Sequence, residues 1–271
     1  MMKSPHFTGA ASRAQWMCMA LLPALLVRCI QGGTVPFRAA VLAWVAAMAV
    51  DALCQFLRQQ EIKPGRDAVL TAWIVTLSLP VDSPVWLAAA ATVLAVGIGL
   101  HAFGGGALVL FHPAMVGIAL LSLWLPGLQQ FTVPVYANTW SMLWPALALT
   151  ASGVALCWAR LIRWQLPAAF LLAVSVVLIG GGYTLSSLLS VLVPVGLLAA
   201  FFIVAEPQTS PILPRPGMLF GLLTGALYGW AVLHCQPRLA EVVLLGNLLV
   251  PWLDRWALTE YSRRREQRRL S

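Results

Sequence analysis

The sequence predicts an all-α integral membrane protein of about ten transmembrane helices, arranged as two inverted five-helix repeats. Three observations carry that prediction. Of the 271 residues, 60% are hydrophobic and only 10% charged, against roughly 25% charged in soluble domains. Apolar runs of about 15–20 residues recur along the chain, the length that crosses a hydrocarbon core of about 30 Å. A proline-broken segment also recurs 127 positions apart: Pro80-Val-Asp-Ser-Pro84 in the first half and Pro207-Gln-Thr-Ser-Pro211 in the second. Interrupted apolar segments at matching places in two halves point to a binding site near the bilayer midplane.

The first run, 16–32, lacks a small-x-small cleavage site before the next begins at Arg38, so it is expected to be retained rather than removed as a signal. The second run, 38–56, carries Asp51, a carboxylate well inside an apolar stretch. An intramembrane carboxylate is by default a candidate for ion handling. The third run, 66–80, ends at Pro80 and is short for a full crossing, as broken helices are when neighbours shield them. Runs 84–101 and 113–126 complete a first repeat over about 16–126, and a Gly-rich loop ending in His112-Pro113 separates them.

The second repeat, about 142–256, holds runs 142–160, 166–182, 185–205, 216–233 and 239–256. Its eighth run breaks at Glu206-Pro207, and its ninth leads to a Pro-containing loop before the last helix, as in the first half. Five crossings per half invert the second repeat relative to the first. Residues 1–271 form a single membrane domain closed by a basic tail, 257–271. Trp16, Trp86, Trp140, Trp164, Trp252 and Trp256 stand near the ends of runs, where amphipathic rings anchor at the interface.

Charge sets the orientation. With both termini inside, 14 of the 17 Lys and Arg residues fall on that face, and Arg28, Arg38 and Arg238 on the other. The positive-inside bias therefore places both termini in the cytoplasm of a bacterial inner membrane. The formal charge of +8 is read as orientation and contact with anionic lipid, not as nucleic-acid binding. The five cysteines are scattered without C-x-x-C spacing and behave as small hydrophobes.

Four motifs carry a family resemblance. Phe103-Gly-Gly…Phe111-His-Pro-Ala-Met-Val-Gly117 resembles the F-G-G-L-G-x-N-x-F-N-P-A-M-x-G signature of the D subunit of Rnf electron-transport complexes and of the B subunit of the sodium-pumping NADH:quinone reductase. Ala200-Phe-Phe-Ile-Val-Ala-Glu-Pro-Gln-Thr-Ser-Pro211 resembles their G-A-F-F-I-x-T-D-P-V-T-S-P. Arg160-Leu-Ile-Arg-Trp-Gln-Leu-Pro167 and Gly246-Asn-Leu-Leu-Val-Pro-Trp-Leu-Asp254 follow in the family's order. The likeness runs from about Ser4 into the tail.

The resemblance implies a membrane subunit of a redox-driven ion pump that works beside flavoprotein, iron–sulfur and other membrane subunits. It also implies an FMN joined to a threonine through a phosphoester, and in some members a non-covalent riboflavin. This sequence departs from that pattern. The segment that corresponds to the family's long loop between the fifth and sixth helices is only Pro126 to Trp140, and neither Thr132 nor Thr139 stands in a Ser-x-Ala-Thr type motif. Covalent FMN is therefore not expected, while non-covalent riboflavin, FMN or a quinone is a candidate. The family's Asn before Pro is His112, and its G-G-L-G has become Gly104-Gly105-Gly106-Ala107.

The expected ligand-binding set is Gly104, Gly105, His112, Pro113, Glu206 and Thr209, with Asp51 as ion-path candidate. Gly permits close backbone approach to a planar ring, and Glu206 and Thr209 offer polar groups beside a proline that supplies no N–H. Glu241 and Asp254 are expected to pair with Arg238 and Arg255. No nucleotide-binding glycine motif, catalytic constellation or metal-ligand spacing is present, so any redox chemistry belongs to a bound cofactor. An alternative function is a small-solute channel or carrier on the same inverted-repeat fold, which urea transporters resemble.

Overall fold

A computed structural model of the chain describes residues 10–61, 65–81, 83–102, 109–125, 139–234 and 238–270. Among these, every regular element is helical. In chain order they are α1 (Ala10–Gly32), α2 (Thr34–Leu57), α3 (Arg66–Ser78), α4 (Val85–Leu94), α5 (Pro113–Trp124), α6 (Thr139–Trp158), α7 (Gln165–Gly180), α8 (Leu185–Val191), α9 (Pro214–Leu233) and α10 (Leu239–Leu270). Among the described residues, four stretches are long and apolar enough to cross a membrane: Arg13–Gly32, Thr34–Leu57, Val85–Ala102 and Pro214–Leu233. Pro113–Trp124, Met142–Trp158 and Gln165–Gly180 are shorter apolar helices. The protein is thus a multi-pass, all-helical membrane protein.

Proline decides where several helices stop. The residue before a proline is pushed out of the α region by the ring. Leu79 accordingly turns extended (φ −87°, ψ 153°) before Pro80 and ends α3. Val193 is non-helical (φ −114°, ψ 121°) before Pro194, inside the run that continues α8. His112 (φ −61°, ψ 115°) and Leu213 (φ −99°, ψ 152°) do the same ahead of α5 and α9.

Two of the broken segments are wound more widely than an α-helix. α4 continues as a π-helix over Ala95–Ala102, and the α8 run ends in π-helical Ala199–Val204, just before Glu206. Such wide turns inside helices recur at functional sites. Ser83 and Ser210, the paired serines of the repeated motif, are both buried.

Close packing relies on small residues, because lipid gives helices no hydrophobic reason to associate. α9 presents Gly217, Gly221, Gly225 and Gly229 to α7; a Cβ at Gly225 would sit 2.5 Å from the Phe170 carbonyl oxygen. α5 approaches α4 in the same manner: a Cβ on Gly117 would lie 2.2 Å from the Ala91 carbonyl oxygen. The neighbour pattern repeats between halves. α2 packs on α4 and α4 on α5, as α7 packs on α9 and α9 on α10. Across the middle, α1 meets α6 and α5 meets α10.

Candidate functional site

The break before α5 and the break after α8 meet inside the bundle. There His112 Nε2 lies 2.7 Å from Glu206 Oε2. His112 is 1% exposed and Glu206 7%, so both were removed from water to make the contact. The two atoms stand at ion-pair distance without hydrogen-bond alignment, and His112 Nδ1 has no hydrogen-bond partner among the described residues. A buried ion pair persists only where other groups complete its polar surroundings.

Asn247 of α10 supplies much of that completion. With its amide oriented to satisfy both neighbours, its oxygen accepts from the His112 backbone N–H at 2.9 Å, and its nitrogen donates to the Thr209 carbonyl at 3.3 Å. One side chain thus clips together the proline-broken segments of both halves. The His112 carbonyl accepts from Met115 and Val116 and starts α5, so Glu206 faces a helix N-terminus, which favours negative charge. Asn247 sits eight residues into α10, about 12 Å at 1.5 Å per residue. That depth is near the middle of a core of about 30 Å.

Of the residues expected from the sequence, His112, Pro113, Glu206 and Thr209 therefore converge, although about ninety positions separate the two pairs. Gly104 and Gly105 lie outside the described residues. Asp51 is 4% exposed and forms a second carboxylate–imidazole pair, with His101 Nε2 at 2.8 Å. Gln55 Nε2 donates to the other carboxylate oxygen at 2.6 Å. Arg58, beyond the end of α2, donates to the His101 carbonyl. Glu241 accepts from Ser122 of α5 at 3.3 Å. Asp254 does not pair with Arg255 as expected; it accepts from the backbone N–H of Ile212 at 2.9 Å, because the end of the broken loop leaves that donor without a helical partner.

Asn247, His101 and Asp67 were missing from the expected set. A lone amide in the last apolar run was the available signal for Asn247. Nothing in the sequence shows that His101 faces Asp51.

Among the described residues, two cavities can be placed beside these elements. One, of about 230 Å³, is lined by Arg13, Met17, Asp67, Glu206 and Gln208. Ligand pockets for ring-sized molecules begin at about 300 Å³, and the imidazole, carboxylate and amide of the hub turn to one another. The second cavity, of about 390 Å³, opens at the other end of α1 between Arg28, Gln31, Leu77, Leu149, Val195 and Leu198. Arg28 is buried and donates to the carbonyl of Leu79, the residue at the α3 break. Apolar walls with few polar groups are the usual character of a cofactor pocket.

An all-helical bundle with buried charges held where broken helices meet defines a polytopic membrane protein built around an intramembrane polar centre. The chain belongs to the NQR2, RnfD, RnfE family, whose pattern matches residues 1–143 and 131–261. It is similar to the D subunit of the ion-translocating oxidoreductase complex of Haemophilus ducreyi, 25% identical over 339 aligned positions that cover 94% of this chain and 96% of the relative. The same subunit of Citrobacter koseri is 27% identical over 79% of this chain and 83% of its own length. That of Methanosarcina acetivorans is 28% identical over 69% of each. The 339 aligned positions to the first relative exceed the 271 residues of this chain, so the relative carries insertions that this chain lacks.

Proposed function

We infer that this protein is the membrane subunit of an Rnf-like ion-translocating electron-transport complex. The single observation that carries the reading is the His112–Glu206 contact, between segments that Asn247 joins through the His112 N–H and the Thr209 carbonyl, in a chain matched to the family along nearly its whole length. Ten crossings in two inverted repeats are supported by the recurring neighbour pattern and by the contact of α1 with α6 and of α5 with α10. Elements related by an in-plane pseudo-two-fold axis meet their equivalents in that way. The basic residues favour a bacterial inner membrane with both termini cytoplasmic. Asp51, buried against His101, keeps its place as an ion-path candidate.

The proposed cofactor is non-covalent, a riboflavin, FMN or quinone, which would accept and pass on single electrons when bound. The larger cavity suits its ring, with Arg28 and Gln31 to hold a polar edge and Leu77, Leu149 and Val195 to exclude water. Covalent FMN is not proposed, since the shortened segment before α6 lacks the threonine motif. The partners are the flavoprotein, iron–sulfur and other membrane subunits of the complex.

Purification in mild detergent, followed by an absorbance spectrum and mass spectrometry of the accompanying chains, tests this. Co-purifying redox subunits and a flavin or quinone released on denaturation are the expected result. A colourless, self-assembled protein that passes a small solute in liposomes would overturn it in favour of a carrier. A fluorescent band at this chain's mass after denaturing electrophoresis would refute the absence of covalent flavin.

A further inference from the structure

The first-half partner of Glu206 is an imidazole, and this has a consequence for which ion the site holds. A hard cation is bound by a shell of oxygen ligands. Beside Glu206 stands a nitrogen instead, His112 Nε2, at 2.7 Å. The Thr209 carbonyl is engaged by Asn247, and the Asn247 oxygen by the His112 N–H. An alkali ion set between Glu206 and His112 meets the Glu206 carboxylate on one side and, on the other, a ring that repels it once protonated. A proton needs only the atoms present: the Glu206 carboxylate and the His112 ring nitrogens 2.7 Å away and beyond can each take one, and Nδ1 has no hydrogen-bond partner among the described residues.

An approach to this pair exists. The cavity of about 230 Å³ places Asp67 of α3 and Arg13 of α1 on its walls with Glu206 and Gln208. Arg13, Asp67 and Gln208 are partly exposed while Glu206 is buried, so the cavity runs from accessible to buried groups. Asp67 is in electrostatic reach of Glu206, Asp51 and Arg13. These groups, with His112 ahead of α5 and the neutral Asn247 on α10, are charged and polar side chains around the pair among the described residues.

We propose that Glu206 and His112 form a proton-binding site, reached past Asp67, that selects the proton over alkali cations. The proposal rests on the ion-translocating reading above and names its ion. Uptake takes the pair from one proton to two, with no bond between heavy atoms made or broken. The charge of the site changes from −1 to 0. Arg13 at the mouth and the N-terminus of α5 hold the anionic form when the proton has left.

The test uses the purified full-length chain in nanodiscs and infrared difference spectra across a pH step, in sodium chloride and in choline chloride. A protonated-carboxyl C=O band is expected, lost in Glu206→Gln and equal in the two salts. His112→Asn places an oxygen ligand beside the carboxylate, and the band is then expected to fall in sodium by about twofold or more. A wild-type band that sodium removes, or that survives Glu206→Gln, overturns the proposal. Should a variant fail to fold, 15N-histidine labelling of the wild type decides, with only four histidines to assign. The His112 signals must titrate identically in both salts, and a sodium-dependent displacement overturns the assignment. Failure of redox partners to co-purify would sink the complex and leave this result standing; a sodium-sensitive pair would do the reverse.

Discussion

Asn247 is the residue on which the polar centre depends most, because it satisfies two backbone groups at once on segments that belong to no helix. Leaving a buried donor unpaired costs about 1–3 kcal/mol. Asn247→Ala should therefore lower thermal stability in detergent, and Asn247→Gln, one methylene too long, should not restore it. Nano-scale fluorimetry of the two variants checks this. The pair it supports is more costly to break from one side, because a buried polar group left without its partner costs about 1–3 kcal/mol. Glu206→Ala should lose more stability than the double change Glu206→Ala with His112→Ala, which strands no polar group.

At the scale of helices, two kinds of signal set the architecture. Prolines end α3 and break the α8 run by steric exclusion of the α region from the residue before them, as Leu79 and Val193 show. Glycines then bring neighbours close. The α9 stripe seats its backbone against α7, so a methyl on Gly225 meets the Phe170 carbonyl at 2.5 Å, whereas one on Gly180 meets nothing within 4 Å. Overpacking costs about 1–3 kcal/mol. Gly225→Ala should lower the apparent Tm by about 5 °C and Gly180→Ala should leave it unmoved, as thermal scans in detergent would record.

At the scale of the molecule, the inverted repeat makes a topological prediction. Thr34 after α1 and Ala159 after α6 hold equivalent places, and both are exposed. In a cysteine-free background, Thr34→Cys should react with an impermeant thiol reagent from outside and Ala159→Cys only after the membrane is opened. Reaction of both from one face would abolish the two-fold arrangement, and with it the reason for broken ends to meet at mid-depth.

Much of this was legible in the chain. Each of the ten apolar runs overlaps a helix among the described residues, because hydrophobic length is imposed by the bilayer locally. His112, Pro113, Glu206 and Thr209 were marked by proline and by polarity out of place. Which polar atoms meet was not legible: Asp51 finds His101 fifty positions on, and Asp254 caps Ile212 rather than pairing with its neighbour. The sequence by itself determined a membrane-spanning helical chain and where its helices break, since hydropathy and proline act within a few residues. Only the tertiary structure decided that the broken ends close around an imidazole–carboxylate pair, because that contact is fixed by helix packing across the two halves and leaves no local trace.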